Sequence, residues 1–259
     1  MFVWLLEILL PDALFLQKLI DLSVFRFQQF DVVQSKNPLK VGTDSMLLGS
    51  FIDPTNALRA LDIGAGTGVL TLMVLQNNPT LIVDAVEIHH EAAEECAFNL
   101  KQSSWGANAK VYAQDFLEFQ ADEKYDLIFS NPPFYFEGLK SGIESIDQAK
   151  HITRELFEQF MIKTAQLLTE SGRFYVIIPG NQVDFLCGLA KENQLQLVER
   201  IAIHATKEKL NSRAILVFSK NFQTLKQSEL TIRSMDGNYT SAYISLTKKY
   251  HFNDLSNKN

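Results

Sequence analysis

Residues Asp126 to Gly138 read DLIFSNPPFYFEG, an apolar run that halts on Asn131-Pro132-Pro133-Phe134. A proline disfavours helical backbone in the residue before it and locks its own φ, so Asn131, followed by two prolines, sits on a stiff, extended corner. The Asn131 side-chain oxygen and the Pro132 carbonyl are both hydrogen-bond acceptors, and Pro132 carries no N–H to compete. Two acceptors in fixed positions match the two hydrogens of a planar exocyclic amine. Phe134 adds a ring on which a heteroaromatic base can stack, worth about 1 to 3 kcal/mol per base in nucleic-acid binders. Such an amine is a poor nucleophile because its lone pair is delocalised into the ring. Acceptors on its hydrogens favour the pyramidal nitrogen that forms during attack, which stabilises the transition state rather than the substrate. Neither a metal nor a strong base is needed, since the proton leaves only after the nitrogen becomes cationic. A corner that merely ended a strand would not call for an asparagine held beside two prolines and an aromatic.

A second group of residues has the types and spacing of a ligand cradle. The run LDIGAGTG, Leu61 to Gly68, precedes the amphipathic stretch VLTLMVLQN. Glycine at Gly64, Gly66 and Gly68 lets the backbone turn sharply and lets a ligand approach the main chain. The following helix opens its unpaired amides toward that ligand. Asp62 lies within the turn, where it can anchor the loop and approach a positive charge. Val69 stands where the dinucleotide fingerprint places its third glycine or alanine, which argues against a nicotinamide cofactor and an oxidoreductase. Glu87 ends the next apolar run, 19 residues past Gly68, and suits both hydroxyls of a ribose. Asp115 can accept from an adenine amino group while Phe116 covers the base face. Each acid alone reads equally as a surface residue; in order, each at a strand end, they form a constellation.

The elements that would position these groups alternate. Strand-like runs occupy 57–63, 81–87, 109–114, 125–130, 172–178, 195–203 and 213–219, with helical periodicity near 68–77, 89–102, 153–169 and 181–193. This is the α/β pattern of a mostly parallel sheet with helices on both faces. No long helix separates the last two runs, so they pair antiparallel. Open sheets of this kind bind ligands beyond the carboxyl ends of their strands, where the glycine turn, Glu87, Asp115 and Asn131 all fall. Residues 25–259 contain neither repeats nor a low-complexity linker and read as one domain. The weakly periodic 135–152 is a candidate active-site flap. KEKLNSR at 207–213 is a basic loop, and the tail from Tyr239 is a last helical turn or two packed back on the sheet.

Composition narrows the class further. The 259 residues are 46% hydrophobic, enough to bury a core, and carry a net charge of −6. The charge is uneven: residues 191–259 hold 11 Lys/Arg against 6 Asp/Glu, while residues 1–190 hold 13 against 24. The last quarter is therefore a candidate electropositive surface, although a solvated face gives the same count. Cys96 and Cys187 are far apart, and His89 and His90 are adjacent, so neither a disulfide framework nor a metal site is expected. Residues 1–24, MFVWLLEILLPDALFLQKLIDLSV, lack the charged start of a signal peptide, and Glu7, Pro11 and Asp12 interrupt any spanning run. They read as an amphipathic appendage or an upstream-extended start. No membrane association is expected, and a reducing cytoplasm is the compartment the cysteines suit.

LDIGAGTG, Glu87, Asp115 and NPPF together resemble the class I S-adenosylmethionine-dependent methyltransferases that act on planar nitrogens. FRFQQFDVVQSKNPLKVGTDSMLLGSF (25–51) and the tail YTSAYISLTKKYH closely resemble the bacterial tRNA1(Val) adenine-37 N6-methyltransferases. The resemblance implies a Rossmann-like sheet of seven strands with the last antiparallel, S-adenosyl-L-methionine as cofactor, tRNA as partner, and a monomer. It implies that Asn131, Pro132 and Phe134 serve catalysis, and that Thr43 and Asp44 help close a cofactor pocket also formed by Asp62, Gly64, Gly66, Gly68, Glu87, Asp115, Phe116 and Asn131. Thr43 and Asp44 also read as a helix cap before SMLLGSF. Tyr135 shares the stacking position with Phe134, and His151 falls near the substrate. Lys207, Lys209 and Arg213, with the earlier Arg26, Lys36 and Lys40, are candidate phosphate contacts. Guanine-N2 methylation of ribosomal RNA, glutamine-N5 methylation of a protein and a catalytically silent RNA-binding module are the alternatives.

Overall fold

The computed structural model describes residues 24–35, 40–132, 146–253 and 255, and of residues 146–153 the backbone only. The chain opens on a short antiparallel ribbon, β1 (Val24–Arg26) and β2 (Asp31–Val33), followed by α1 (Thr43–Phe51). The alternating part comprises β3 (Arg59–Ile63), α2 (Val69–Asn77), β4 (Ile82–Glu87), α3 (His90–Gln102), β5 (Ala109–Ala113), β6 (Tyr125–Ser130), α4 (Ile146–Leu167), β7 (Leu168–Pro179) and α5 (Val183–Glu192). It ends with β8 (Gln196–His204), β9 (Arg213–Ser219), β10 (Lys226–Thr231) and α6 (Ser241–Thr247).

Among the described residues eight strands form the main sheet, in the order β10-β8-β9-β7-β6-β3-β4-β5. Strand β9 runs antiparallel to both neighbours, and every other adjacent pair is parallel. The expected parallel sheet and its antiparallel member are thus present, but the sheet has one strand more than the seven anticipated. The addition is β10, which pairs parallel with β8 and forms the edge. Its residues, KQSELT, bury only Leu230, so no apolar alternation announces a strand there.

Alternation of side chains across the strands divides the core in two. Leu127 and Phe129 of β6 join one cluster with Leu72 and Met73 of α2, while Ile128 joins the other with Leu186 and Leu189 of α5. α2 buries seven consecutive residues, Val69 to Leu75, because α1 packs against it and Tyr250 covers its end. α3 turns Ala92, Ala93, Cys96 and Leu100 inward at helical spacing. Its Asn99 also holds the ribbon, accepting from the Val33 amide at 2.9 Å and donating to the Val33 carbonyl at 2.8 Å.

Two expected boundaries shift. α4 begins at Ile146 rather than 153, so residues 146–152 of the anticipated flap are helical, whereas 133–145 lie outside the described residues, as do residues 1–23 of the N-terminal appendage. α4 also runs directly into β7, so the apolar pattern of 168–169 belongs to the strand. Among the described residues no helix is long and apolar enough to cross a membrane.

The tail returns to the sheet as anticipated. α6 buries Tyr243 and Thr247, and Tyr250, fully buried, sends its hydroxyl between α1 and α2. That hydroxyl accepts from Asn77 Nδ2 at 2.7 Å and donates to the Gly49 carbonyl at 3.2 Å. Tyr250→Phe removes both bonds and strands the Asn77 amide, so urea denaturation is expected to show a loss of about 1 to 2 kcal/mol.

Candidate active site

The four sequence signals meet at the carboxyl edge of the sheet. The turn after β3 is left-handed at three glycines, with φ of +73° at Gly64, +56° at Gly66 and +80° at Gly68. The reasons for glycine differ along it. A Cβ at Gly68 would lie 2.8 Å from Cys96 Sγ, whereas at Gly64 it would meet nothing within 4 Å. Gly68 thus lets α3 pack close, and Gly64 leaves an open face for a ligand.

Strand β4 holds this turn from the side. The Gly64 and Ala65 amides donate to the Val86 carbonyl at 2.8 and 3.1 Å, and the Gly66 amide donates to Glu87 Oε2 at 2.8 Å. Glu87 Oε1 accepts from the His89 amide at 2.9 Å. Both carboxylate oxygens are therefore aimed, and each keeps a second lone pair for a hydroxyl donor.

Asp62 is wholly buried beneath the turn. Its Oδ2 accepts from Thr71 Oγ1 at 2.7 Å, but Oδ1 has no partner among the described residues. Burial pushes its pKa up to about 7 against the lowering effect of the Thr71 bonds, and Glu87 raises it further. An orphaned buried carboxylate oxygen under an open glycine face suits a ligand carrying positive charge. A sulfonium cofactor with an amino group, a ribose and an adenine fits this donor set.

Asp115 follows β5 and accepts the Leu117 amide on Oδ1 at 2.8 Å, shaping the turn it belongs to. Phe116 is 7% exposed, its ring centroid 5.4 Å from that of Phe160. Its ring is chiefly a wall of the second core cluster.

Asn131, just past β6, donates its Nδ2 to Ser45 Oγ at 3.2 Å. Its Oδ1 and the Pro132 carbonyl make no hydrogen bond within the described residues, leaving both acceptors available at this corner. Pro133, Phe134 and Tyr135 lie outside the described residues, as does the side chain of His151.

Comparison with known proteins agrees with this geometry. The model of the methyltransferase small domain matches residues 25–185. A protein of Flavobacterium psychrophilum named tRNA1(Val) (adenine(37)-N6)-methyltransferase is 37% identical over 88% of this chain and 99% of its own. One of the same name from Cronobacter sakazakii is 36% identical over 88% of this chain and 94% of its own. The chain belongs to this methyltransferase family. Among solved structures, a predicted O-methyltransferase of Agrobacterium tumefaciens aligns over 80% of this chain and 96% of its own, with a TM-score of 0.63 at 19% identity, which establishes the shared fold.

The family's Thr43-Asp44 pair begins α1. The helix already includes both residues, so the N-cap is Gly42, without a side-chain bond, rather than either of them. Thr43 is exposed. Asp44 Oδ2 accepts from Arg213 Nε at 2.8 Å, and Arg213 Nη1 donates to the Ser212 carbonyl. Arg213, anticipated as a phosphate contact, therefore ties the start of β9 to α1. Lys207 and Lys209 are exposed on the loop 205–212, at the same edge as Asn131, and that loop packs its Asn211 carbonyl against Gly180. Arg26 and Lys40 are exposed, and Lys36 lies outside the described residues. Among the described residues no group of three or more His, Cys, Asp or Glu could hold a metal.

Sequence reasoning missed Ser45, and no spacing signal links it to Asn131, 86 residues away.

The folded chain holds the Asp62 proton up to about pH 7, whereas the unfolded chain releases it near the ordinary 3.8. Between these values the unfolded state binds fewer protons, so this group lowers stability as pH rises through the window. Urea titrations at pH 5 and pH 8 are expected to show wild type losing about 2 to 3 kcal/mol relative to Asp62→Asn.

Proposed function

We propose that the chain transfers a methyl group from S-adenosylmethionine to N6 of an adenosine in tRNA, with adenosine 37 of tRNA1(Val) as the target carried in its relatives' names. The observation that carries this reading is the Asn131-Pro132 corner at the end of β6, with two acceptors facing no protein donor among the described residues. The family membership and the cradle beside it support the same reading.

S-adenosylmethionine, when bound, supplies an electrophilic methyl on a sulfonium. The chain's own residues do the rest. Glu87 would accept from the ribose hydroxyls, its orientation already set by the Gly66 and His89 amides. Asp62 would hold the positive end of the ligand. Asp115 would accept from the adenine amino group through its remaining lone pairs. Asn131 Oδ1 and the Pro132 carbonyl would take the two hydrogens of the target amine, so that its lone pair rehybridises toward the methyl. Phe134 stacking on the base, extruded from the anticodon loop, completes the proposal. After transfer the cationic nitrogen is acidic enough to release its proton to water.

Lys207 and Lys209, exposed at the carboxyl edge, would offset the phosphate charge that the acidic remainder of the chain repels. A tRNA substrate places the protein in the cytoplasm, and residues 25–259 constitute its methyltransferase domain.

Two measurements test the reading. Purified protein with labelled cofactor should methylate tRNA, and not ribosomal RNA or a release factor; label in either of those would replace the proposed substrate. Asn131→Ala should lower turnover by about a hundredfold or more, the scale of losing an oriented transition-state contact, while calorimetry shows S-adenosylhomocysteine affinity within about twofold of wild type.

A further inference from the structure

The first turn of α1 makes two contacts with the carboxyl edge of the sheet, and one of them reaches the reacting corner. Asp44 is ion-paired at 2.8 Å with Arg213, the first residue of β9. Ser45, 9% exposed, receives the Asn131 amide on its hydroxyl oxygen at 3.2 Å. The rest of the helix is fixed by burial: Met46, Leu47 and Leu48 sit in the first core cluster. The hydroxyl is therefore presented from a rigid element on one side and anchored by charge on the other.

A primary carboxamide has a donor end and an acceptor end of nearly equal size. Rotation of its plane by half a turn exchanges them at little steric cost, so an asparagine's direction is set by the partners it meets. For attack by an amine, only one direction serves. With Oδ1 outward the corner offers two acceptors to the substrate hydrogens; with Nδ2 outward it offers one acceptor and one donor, and the donor faces another donor. In the folded chain the Ser45 oxygen takes Nδ2 at 3.2 Å, and this bond anchors the inner end of the carboxamide and leaves Oδ1 as the free end. Pro132 restrains the backbone of Asn131 but exerts no control over the rotation of the Asn131 side chain.

We propose that Ser45 is a positioning residue for methyl transfer: its hydroxyl holds Asn131 Nδ2, fixing Oδ1 toward the target amine, while the Asp44–Arg213 ion pair holds Ser45 in register. This rests on the function proposed above and extends it to a residue whose contact is with the Asn131 side chain. Its effect belongs to the orientation of one side chain, so it is felt in turnover rather than in binding.

The test is steady-state kinetics of Ser45→Ala and Ser45→Thr with tRNA, beside melting temperature and S-adenosylhomocysteine calorimetry. Loss of one side-chain hydrogen bond predicts a fall in kcat of roughly five- to tenfold for Ser45→Ala. KM for tRNA, cofactor affinity and melting temperature should stay near wild type. Ser45→Thr keeps the hydroxyl and should recover most of the turnover. An alanine variant with wild-type kcat, or one whose loss appears in KM or melting temperature instead, overturns the role of Ser45. If wild-type protein itself fails to methylate tRNA, the functional reading falls instead, so the two failures are distinguishable.

Discussion

The hydrogen bond from the Gly66 amide to Glu87 joins the end of β3 to the end of β4. A glycine turn with three left-handed residues has many shapes open to it, and this contact, with the Val86 carbonyl taking the Gly64 and Ala65 amides, selects one. The same bond orients the carboxylate, because the second oxygen is taken by the His89 amide. Turn and acid thus shape each other. The open face at Gly64 and the buried Asp62 below it acquire their positions from that junction.

The second organising feature is α1. Its sequence contribution to the core is ordinary, but its first turn touches the sheet at β9 through Asp44 and at the end of β6 through Ser45. These contacts join residues 169 and 86 positions apart. They place a polar scaffold behind the corner that carries the acceptors, and they turn Arg213 toward the body of the protein. The cations exposed on the neighbouring loop 205–212 are Lys207 and Lys209, and His204 helps shape that loop by accepting the Asn211 amide.

Much of the fold was legible because its signals are local. Seven apolar runs separated by helical periodicity require a covered parallel sheet, and the missing helix between β8 and β9 requires a reversal. Strand β10 was not legible, since an edge strand that buries only Leu230 needs no apolar alternation and its pairing comes from the backbone of β8. The start of α4 was misjudged for a similar reason: the apolar spacing strengthens only after 153, while the helix already runs from Ile146. The packing of Phe116 on Phe160 was not legible either, because that contact joins positions far apart in the chain.

By itself the sequence determined the chemistry available: a stiff asparagine-proline corner, a glycine turn, and acids at successive strand ends, all of which follow from residue type and short-range spacing. Tertiary structure alone decided how those groups face. The amide of Asn131 meets a serine 86 positions away, Arg213 pairs with Asp44, and Asp62 is buried deeply enough to hold its proton toward neutrality. Direction, pairing and desolvation depend on what lies across space from a side chain, and a linear order of residues carries that information only once the sheet has brought its strand ends together.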